Sequence, residues 1–213
     1  MKAIVIGGTG MVGKQLLKQL TENDTYSEII SLVRRPSKLS HAKLKEEVID
    51  FDRLNDYSGL INAEVLFSTL GTTIAQAKTK KAQFKVDYTY QLTVAEIAAA
   101  NGISSYVLVS SAGASSSSAL FYPNMKGKLD DAVRKLPFKV ISILRPGQLD
   151  GIREEKRVTE KISLTVMYFL NRFGILKRYK PIQAHEVARA MINAAAQKES
   201  AIYTLSEVFD LAK

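Results

Sequence analysis

Apolar positions along the chain fall into short continuous runs that alternate with runs at helical spacing. Ala3–Ile6 is apolar without interruption and mostly β-branched, the texture of a strand buried on both faces. Leu16, Leu17 and Leu20 then recur at the spacing of one helix face within Lys14–Leu20. The same alternation predicts strands at Glu28–Val33, Glu47–Asp52, Glu64–Leu70, Tyr106–Val109, Val140–Leu144 and Ala201–Leu205. Between them it predicts a short helix over Arg53–Ile61, a long one over Thr79–Asn101, and others over Gly127–Leu136 and Ala184–Gln197. Phe84, Leu92, Val94, Ile97 and Ala98 are the buried-face candidates of the long helix, and Asn101-Gly102 stops it. Strand and helix taking turns imply an α/β fold with a doubly wound parallel sheet.

Residues 148–182 break this rhythm. Arg153–Arg157 and Lys177–Lys180 are charged, and between them Ile162, Leu164, Val166, Met167, Phe169, Leu170 and Phe173 form an apolar helix candidate. Such a stripe suits a substrate cover, a homodimer or protein-partner face, a lipid contact or plain core. Residues 1–213 read as one domain, with about 148–182 as a short substrate-side extension.

Composition narrows the chemistry. The chain has no Cys, which excludes disulfides, thiolate metal sites and Cys nucleophiles, and its two His are too few for a His-based metal site. Its formal charge is +9, from 30 basic and 21 acidic residues. The basic residues are scattered, without an aromatic-interleaved or recognition-helix pattern, so nucleic acid is not an expected partner. A polyphosphate cofactor on a basic surface accounts for the balance. The apolar start is too short for a signal peptide and no stretch is long enough to span a membrane, so a cytoplasmic protein is expected.

The glycines between the first strand and helix point to that cofactor. Gly8, Gly10 and Gly13 fit G-x-G-x-x-G, and Gly7, Gly10 and Gly13 fit G-x-x-G-x-x-G, with Thr9, Met11 and Val12 between them. In a strand–turn–helix context this is a dinucleotide-binding fingerprint, with free helix amides facing a pyrophosphate. The second strand ends in Arg34-Arg35 rather than the carboxylate that an NAD site uses on the ribose 2′-hydroxyl. Guanidinium forks suit a 2′-phosphate, so NADP(H) is the expected cofactor. Asp52 ends the third strand, in the loop that borders the adenine in this architecture, and Leu70, Gly71 and Thr72 follow the fourth at the cofactor side.

Tyr122 and Lys126 stand four residues apart. On a helix they share a face, and the ammonium favours the phenolate, so the phenol can exchange a proton with a substrate oxygen. Their spacing is common, but their position after the strand that delivers Ser110-Ser111 puts them where a nicotinamide would sit. Pro123 disfavours helical backbone at Tyr122, which is therefore expected just before the helix. Ser115–Ser118 is a low-complexity stretch expected to be a mobile loop without chemistry.

Together the glycines at 7–13, Ser111, Tyr122-x-x-x-Lys126 and Arg145-Pro146-Gly147 resemble the short-chain dehydrogenases/reductases. Val48–Asp52, Leu70–Thr73 and Val109-Ser-Ser-x-Gly113 are most similar to the atypical, Tat-interacting-protein-like oxidoreductases, which are often labelled nucleoside-diphosphate-sugar epimerase relatives. The resemblance implies a Rossmann fold holding NADPH, with Gly7, Gly8, Gly10 and Gly13 on the phosphates and Arg34 and Arg35 near the 2′-phosphate. It implies Tyr122 as proton donor and acceptor, Lys126 as its partner and Ser111 as the orienting hydroxyl, with Pro146 in a shared motif and Leu149 and Arg157 at positions that line the cofactor. Asp87 stands where many relatives have the Asn of a proton relay, and the C-terminal part is shorter than in sugar epimerases, which argues against a nucleotide-sugar substrate. The expected activity is NADP(H)-dependent oxidation or reduction of a small-molecule alcohol or carbonyl. The alternatives are an NADPH-binding redox-sensing regulatory protein, and a reductase passing hydride directly to a flavin or quinone.

Overall fold

The computed structural model describes residues 1–37, 39–150 and 181–213. Strands β1 (Lys2–Ile6), β2 (Glu28–Val33), β3 (Leu44–Val48), β4 (Val65–Ser68), β5 (Ser105–Val109), β6 (Val140–Arg145) and β9 (Ala201–Thr204) form a parallel sheet in the order β3-β2-β1-β4-β5-β6-β9. The order reverses between β1 and β4, which opens a crevice beyond their carboxyl ends. A small pair, β7 (Leu149–Asp150) with β8 (Ile182–Gln183), lies apart from it.

Successive residues of β1 explain the uninterrupted apolar run. Ala3 and Val5 face the layer of α1 (Met11–Glu22) and α6 (Ala184–Ala195), against Leu16, Leu17, Leu20, Val187 and Met191. Ile4 and Ile6 face the opposite layer of α4 (Gln91–Ala100) and α5 (Phe121–Val133), against Val94, Ala98, Leu129 and Val133. Neither face of Ala3–Ile6 reaches water, and all four positions are apolar. The final helix, α7 (Ser206–Leu211), packs on α6.

Four expectations shift. The third strand begins at Leu44 and ends at Val48. Ile49 and Phe51 are instead buried under 3-10 turns over Phe51–Leu60, which Asp50 starts by accepting a hydrogen bond from the Asp52 amide at 2.9 Å. The long helical run is in place but divided into α3 (Lys80–Phe84), a π-helical segment Lys85–Tyr90, and α4, after a single turn, α2 (Ile74–Ala77). Helix α5 begins at Phe121, so Tyr122 lies inside its first turn. Pro123 is tolerated there because first-turn amides have no partner within the helix.

The serine run is a loop, but a fastened one. The Ser115 amide donates to the Pro123 carbonyl at 3.0 Å, and Asn124 Nδ2 donates to the Ser116 and Ser118 carbonyls at 2.6 and 3.1 Å. A Cβ on Gly127 would lie 2.2 Å from the Ser115 carbonyl carbon, so this glycine lets the loop lie directly on the helix. The apolar candidate helix of residues 162–173, with its charged flanks, lies outside the described residues.

Helix α1 meets the loop that precedes it just as closely. A Cβ on Gly13 would sit 2.1 Å from the Gly7 carbonyl oxygen, whereas one on Gly59 meets nothing within 4 Å. Gly13→Ala is expected to cost about 2 kcal/mol or more of unfolding free energy in urea melts, against less than about 0.5 kcal/mol for Gly59→Ala. Equal losses would show that the approach of α1 to its loop is not tight.

Candidate active site

The loop after β1 turns sharply because Gly7 adopts φ +81°, and a Cβ there would lie 2.5 Å from the Leu70 amide nitrogen. The Gly10 amide closes the turn on the Gly7 carbonyl at 2.9 Å. Gly10 then precedes α1 without a side-chain cap, and the first turn contains no acidic residue. The free amides and the positive end of the helix dipole are thus unopposed where Thr9, Gly10, Met11 and Val12 line the crevice.

That crevice encloses about 980 Å³ outside the strand ends. It joins the glycine loop to Leu70, Gly71 and Thr72 after β4, Ser111 after β5, Tyr122 and Lys126 on α5, and Pro146 and Leu149 after β6. Gly7, Gly8 and Gly13 stand behind its wall and serve through close packing. A Cβ on Gly8 would meet Ser31 Oγ at 2.6 Å. Arg34 and Arg35 are exposed at the end of β2 and do not line the crevice. Arg157 lies outside the described residues.

Asp52 is not brought in. It lies in a separate depression with Phe51, Lys85 and Tyr90. Its carboxylate pairs with Lys85 Nζ at 2.6 Å and accepts a hydrogen bond from the Tyr90 hydroxyl, and both interactions hold it below the usual carboxylate range. Ending β3 at Val48 carries Asp52 into the 3-10 turns, away from the strand's mouth.

Lys126 is 2% exposed, and its ammonium donates to the Val109 carbonyl at 3.2 Å. Two buried carboxylates offset its charge. Asp87, on the π-helical segment, accepts from the Thr72 amide at 2.8 Å, and burial pushes it up to about 6 despite Lys126 and that amide. The π geometry is supported by Gln91, whose amide donates to the Asp87 carbonyl at 2.7 Å while its oxygen accepts from Ser68. Gln83 Nε2 donates to the Thr72 carbonyl at 3.2 Å, so Thr72 is held on both sides.

The second carboxylate, Asp130, is fully buried one turn beyond Lys126. Burial raises it, and the Ser110 hydroxyl, Arg145 and Lys126 draw it back down. Arg145 holds it in a two-pronged ion pair at 2.9 and 2.8 Å, while Ser110 faces it short of a well-formed hydrogen bond. Ser110 therefore belongs to the buried side. Ser111 lines the crevice, and its hydroxyl donates to the Ala112 carbonyl at a long 3.4 Å.

Tyr122 is 40% exposed on the crevice wall. Tyr122, Lys126 and Asp130 repeat every four residues along one face of α5, a spacing that could have revealed Asp130 in the sequence. Gln83 and Gln91 carried no such signal.

A family model described as NAD(P)H-binding matches residues 7–198. The chain belongs to the NAD(P)H-binding family. It also belongs with the fungal FMP52 proteins. It is 32% identical to Protein FMP52-1, mitochondrial, of Scheffersomyces stipitis over 203 residues, 92% of this chain and 89% of that protein. Protein FMP52, mitochondrial, of Meyerozyma guilliermondii is 36% identical over 203 residues, 92% and 86% of the two chains. Among solved structures, MoeE5 in complex with UDP-glucose and NAD superposes with a TM-score of 0.71 at 14% identity, covering 100% of this chain and 81% of that one. UDP-N-acetylglucosamine 4-epimerase from Bacillus cereus gives 0.72 at 20%, covering 99% and 83%. The fold is therefore the Rossmann-type fold of the short-chain dehydrogenase/reductase and sugar-epimerase structures. The expectation of a cytoplasmic protein is overturned, because these relatives are named mitochondrial. That expectation rested on signals of secretion and membrane spanning, which say nothing about mitochondria.

The environment of Asp87 has a measurable consequence. Burial raises its native pKa to about 6, above the ordinary aspartate value of 3.8, so folding favours the protonated form. Its contribution to stability is fully present below about pH 4 and is lost as the pH rises through about 6. Between those limits the wild type is expected to lose about 3 kcal/mol relative to Asp87→Asn, measured by urea unfolding at a series of pH values. Parallel pH curves for the two proteins would rule out the buried, raised carboxyl.

Proposed function

We propose that the protein is an NADP(H)-dependent oxidoreductase of the short-chain type, acting on the carbonyl or alcohol of a small molecule. The observation that carries this reading is the meeting, in one crevice, of an uncapped helix N-terminus with Ser111, Tyr122 and Lys126. A dinucleotide fits the first of these features, since Gly7 and Gly13 leave no room for side chains and free amides remain to receive phosphate oxygens. Thr9, Gly10, Met11 and Val12 would hold the pyrophosphate, Leu70, Gly71, Thr72, Pro146 and Leu149 would flank the nicotinamide half, and Lys126 would reach ribose hydroxyls.

When bound, the nicotinamide supplies or accepts a hydride at the substrate carbon. Tyr122 gives its phenolic proton to the substrate oxygen during reduction and takes it back during oxidation. Ser111 donates a hydrogen bond to the same oxygen as negative charge grows on it. Lys126, held by the Val109 carbonyl near Asp87 and Asp130, offsets the charge of the phenolate left behind. Arg34 and Arg35 support NADP over NAD. Leu32 pairs with Ile6, so the two guanidinium groups leave β2 beside the glycine loop, exposed and able to turn toward a 2′-phosphate.

Tyr122→Phe is expected to lower kcat at least about 100-fold while leaving NADPH binding within about twofold, read by NADPH fluorescence titration and turnover. Unchanged turnover in this variant would favour direct hydride transfer to the acceptor. The double change Arg34→Ala with Arg35→Ala is expected to raise the Kd for NADPH by about tenfold or more and that for NADH by less than about twofold. Equal weakening of both dinucleotides would remove the 2′-phosphate argument.

A further inference from the structure

We infer that the substrate of this site is a carbonyl compound with an apolar body and an anionic group, and that Lys80 receives that group. The inference rests on the oxidoreductase reading and adds the substrate class to it. At the Tyr122 end the crevice is walled by Phe121, which precedes the tyrosine on α5, and by Ile74, which is 49% exposed on α2. An apolar surface open to water beside a reactive phenol suits a hydrophobic group on the substrate.

Among the described residues, the charge at this end is unbalanced. The charged side chains lining the crevice there are Lys14, Lys80, Asp87 and Lys126, counted among the described residues. Asp87 is buried, bonded to the Thr72 amide and set against Lys126, and Asp130 completes the compensation of Lys126 from behind. Lys14 lies on α1 at the glycine-loop end, where phosphates are expected, and has a partner of its own. Lys80 stands at the start of α3, with its ammonium 5.5 Å from the centre of the ring of Phe121, the residue before the tyrosine. No ion pair engages it among the described residues. The cation–π contact holds the ammonium over the crevice wall at modest cost in side-chain freedom. A carboxylate or phosphate on the substrate would meet a cation already placed over an apolar surface, where its interaction is less screened than in open water.

The test compares two probes of matched shape, 4-carboxybenzaldehyde and methyl 4-formylbenzoate, on the full chain with NADPH. NADPH oxidation gives kcat and KM, and the melting temperature of the NADPH-loaded protein reports binding. The carboxylate is expected to have a kcat/KM about fivefold or more above the ester, carried by KM and reduced by high salt. Lys80→Met should abolish that preference, bringing kcat/KM for the carboxylate down to about that of the ester. Lys81→Met makes the same charge change one residue away, outside the crevice, and should preserve it. Equal use of both probes, preference for the ester, or neither turnover nor a melting shift with either would overturn the substrate class. NADPH alone should still raise the melting temperature in all of those cases. If it does not, the oxidoreductase reading fails as well.

Discussion

The arrangement of the site depends on one buried charge. An ammonium such as that of Lys126, almost wholly removed from water, costs several kcal/mol unless opposite charges and hydrogen-bond acceptors surround it. The fold supplies these from three directions: the Val109 carbonyl at the end of β5, Asp87 on the π-helical segment, and Asp130 one turn along α5. Each carboxylate is tied to a further element, Asp87 to the Thr72 amide after β4 and Asp130 to Arg145 at the end of β6. Removing either acid would leave the cation under-compensated and free its other tether. The carboxyl ends of β4, β5 and β6 are thereby fixed relative to the helix that carries Tyr122.

The glycine loop fixes the opposite end by close approach. Gly7 lies against the backbone after β4, and Gly13 brings α1 down onto the Gly7 carbonyl. Backbone amides, which cannot titrate, therefore present positive potential where a pyrophosphate would lie, while a titratable phenol stands at the far end of the same crevice. The reversal of strand order between β1 and β4 opens the space that both ends share.

Most of the framework was legible in the sequence. The apolar runs became strands of a parallel sheet because strands covered on both faces are built mainly of apolar residues. Boundaries moved where side chains had a better use than the regular element, as with Ile49 and Phe51, which leave β3 to be buried beneath the 3-10 turns. The serine run illustrates a different failure. Its composition suggests mobility, yet Asn124 and the missing Cβ of Gly127, both on α5, fasten it in place. The start of α5 was misplaced through Pro123, whose restriction on its neighbour is outweighed in the first helical turn.

By itself the sequence determined the sheet, the glycine turn and the spacing of Tyr122 and Lys126, because these follow from hydrophobic period, backbone freedom and local spacing. Tertiary structure decided which ionisable groups meet. Asp87 reaches Lys126 from another element and Arg145 ties down Asp130 from β6, whereas Asp52, equally acidic and placed at an expected position, turns outward to Lys85 and Tyr90. The reason is physical. A charge acts through distance and through how little water lies between it and its partners, and both are set by how distant segments pack.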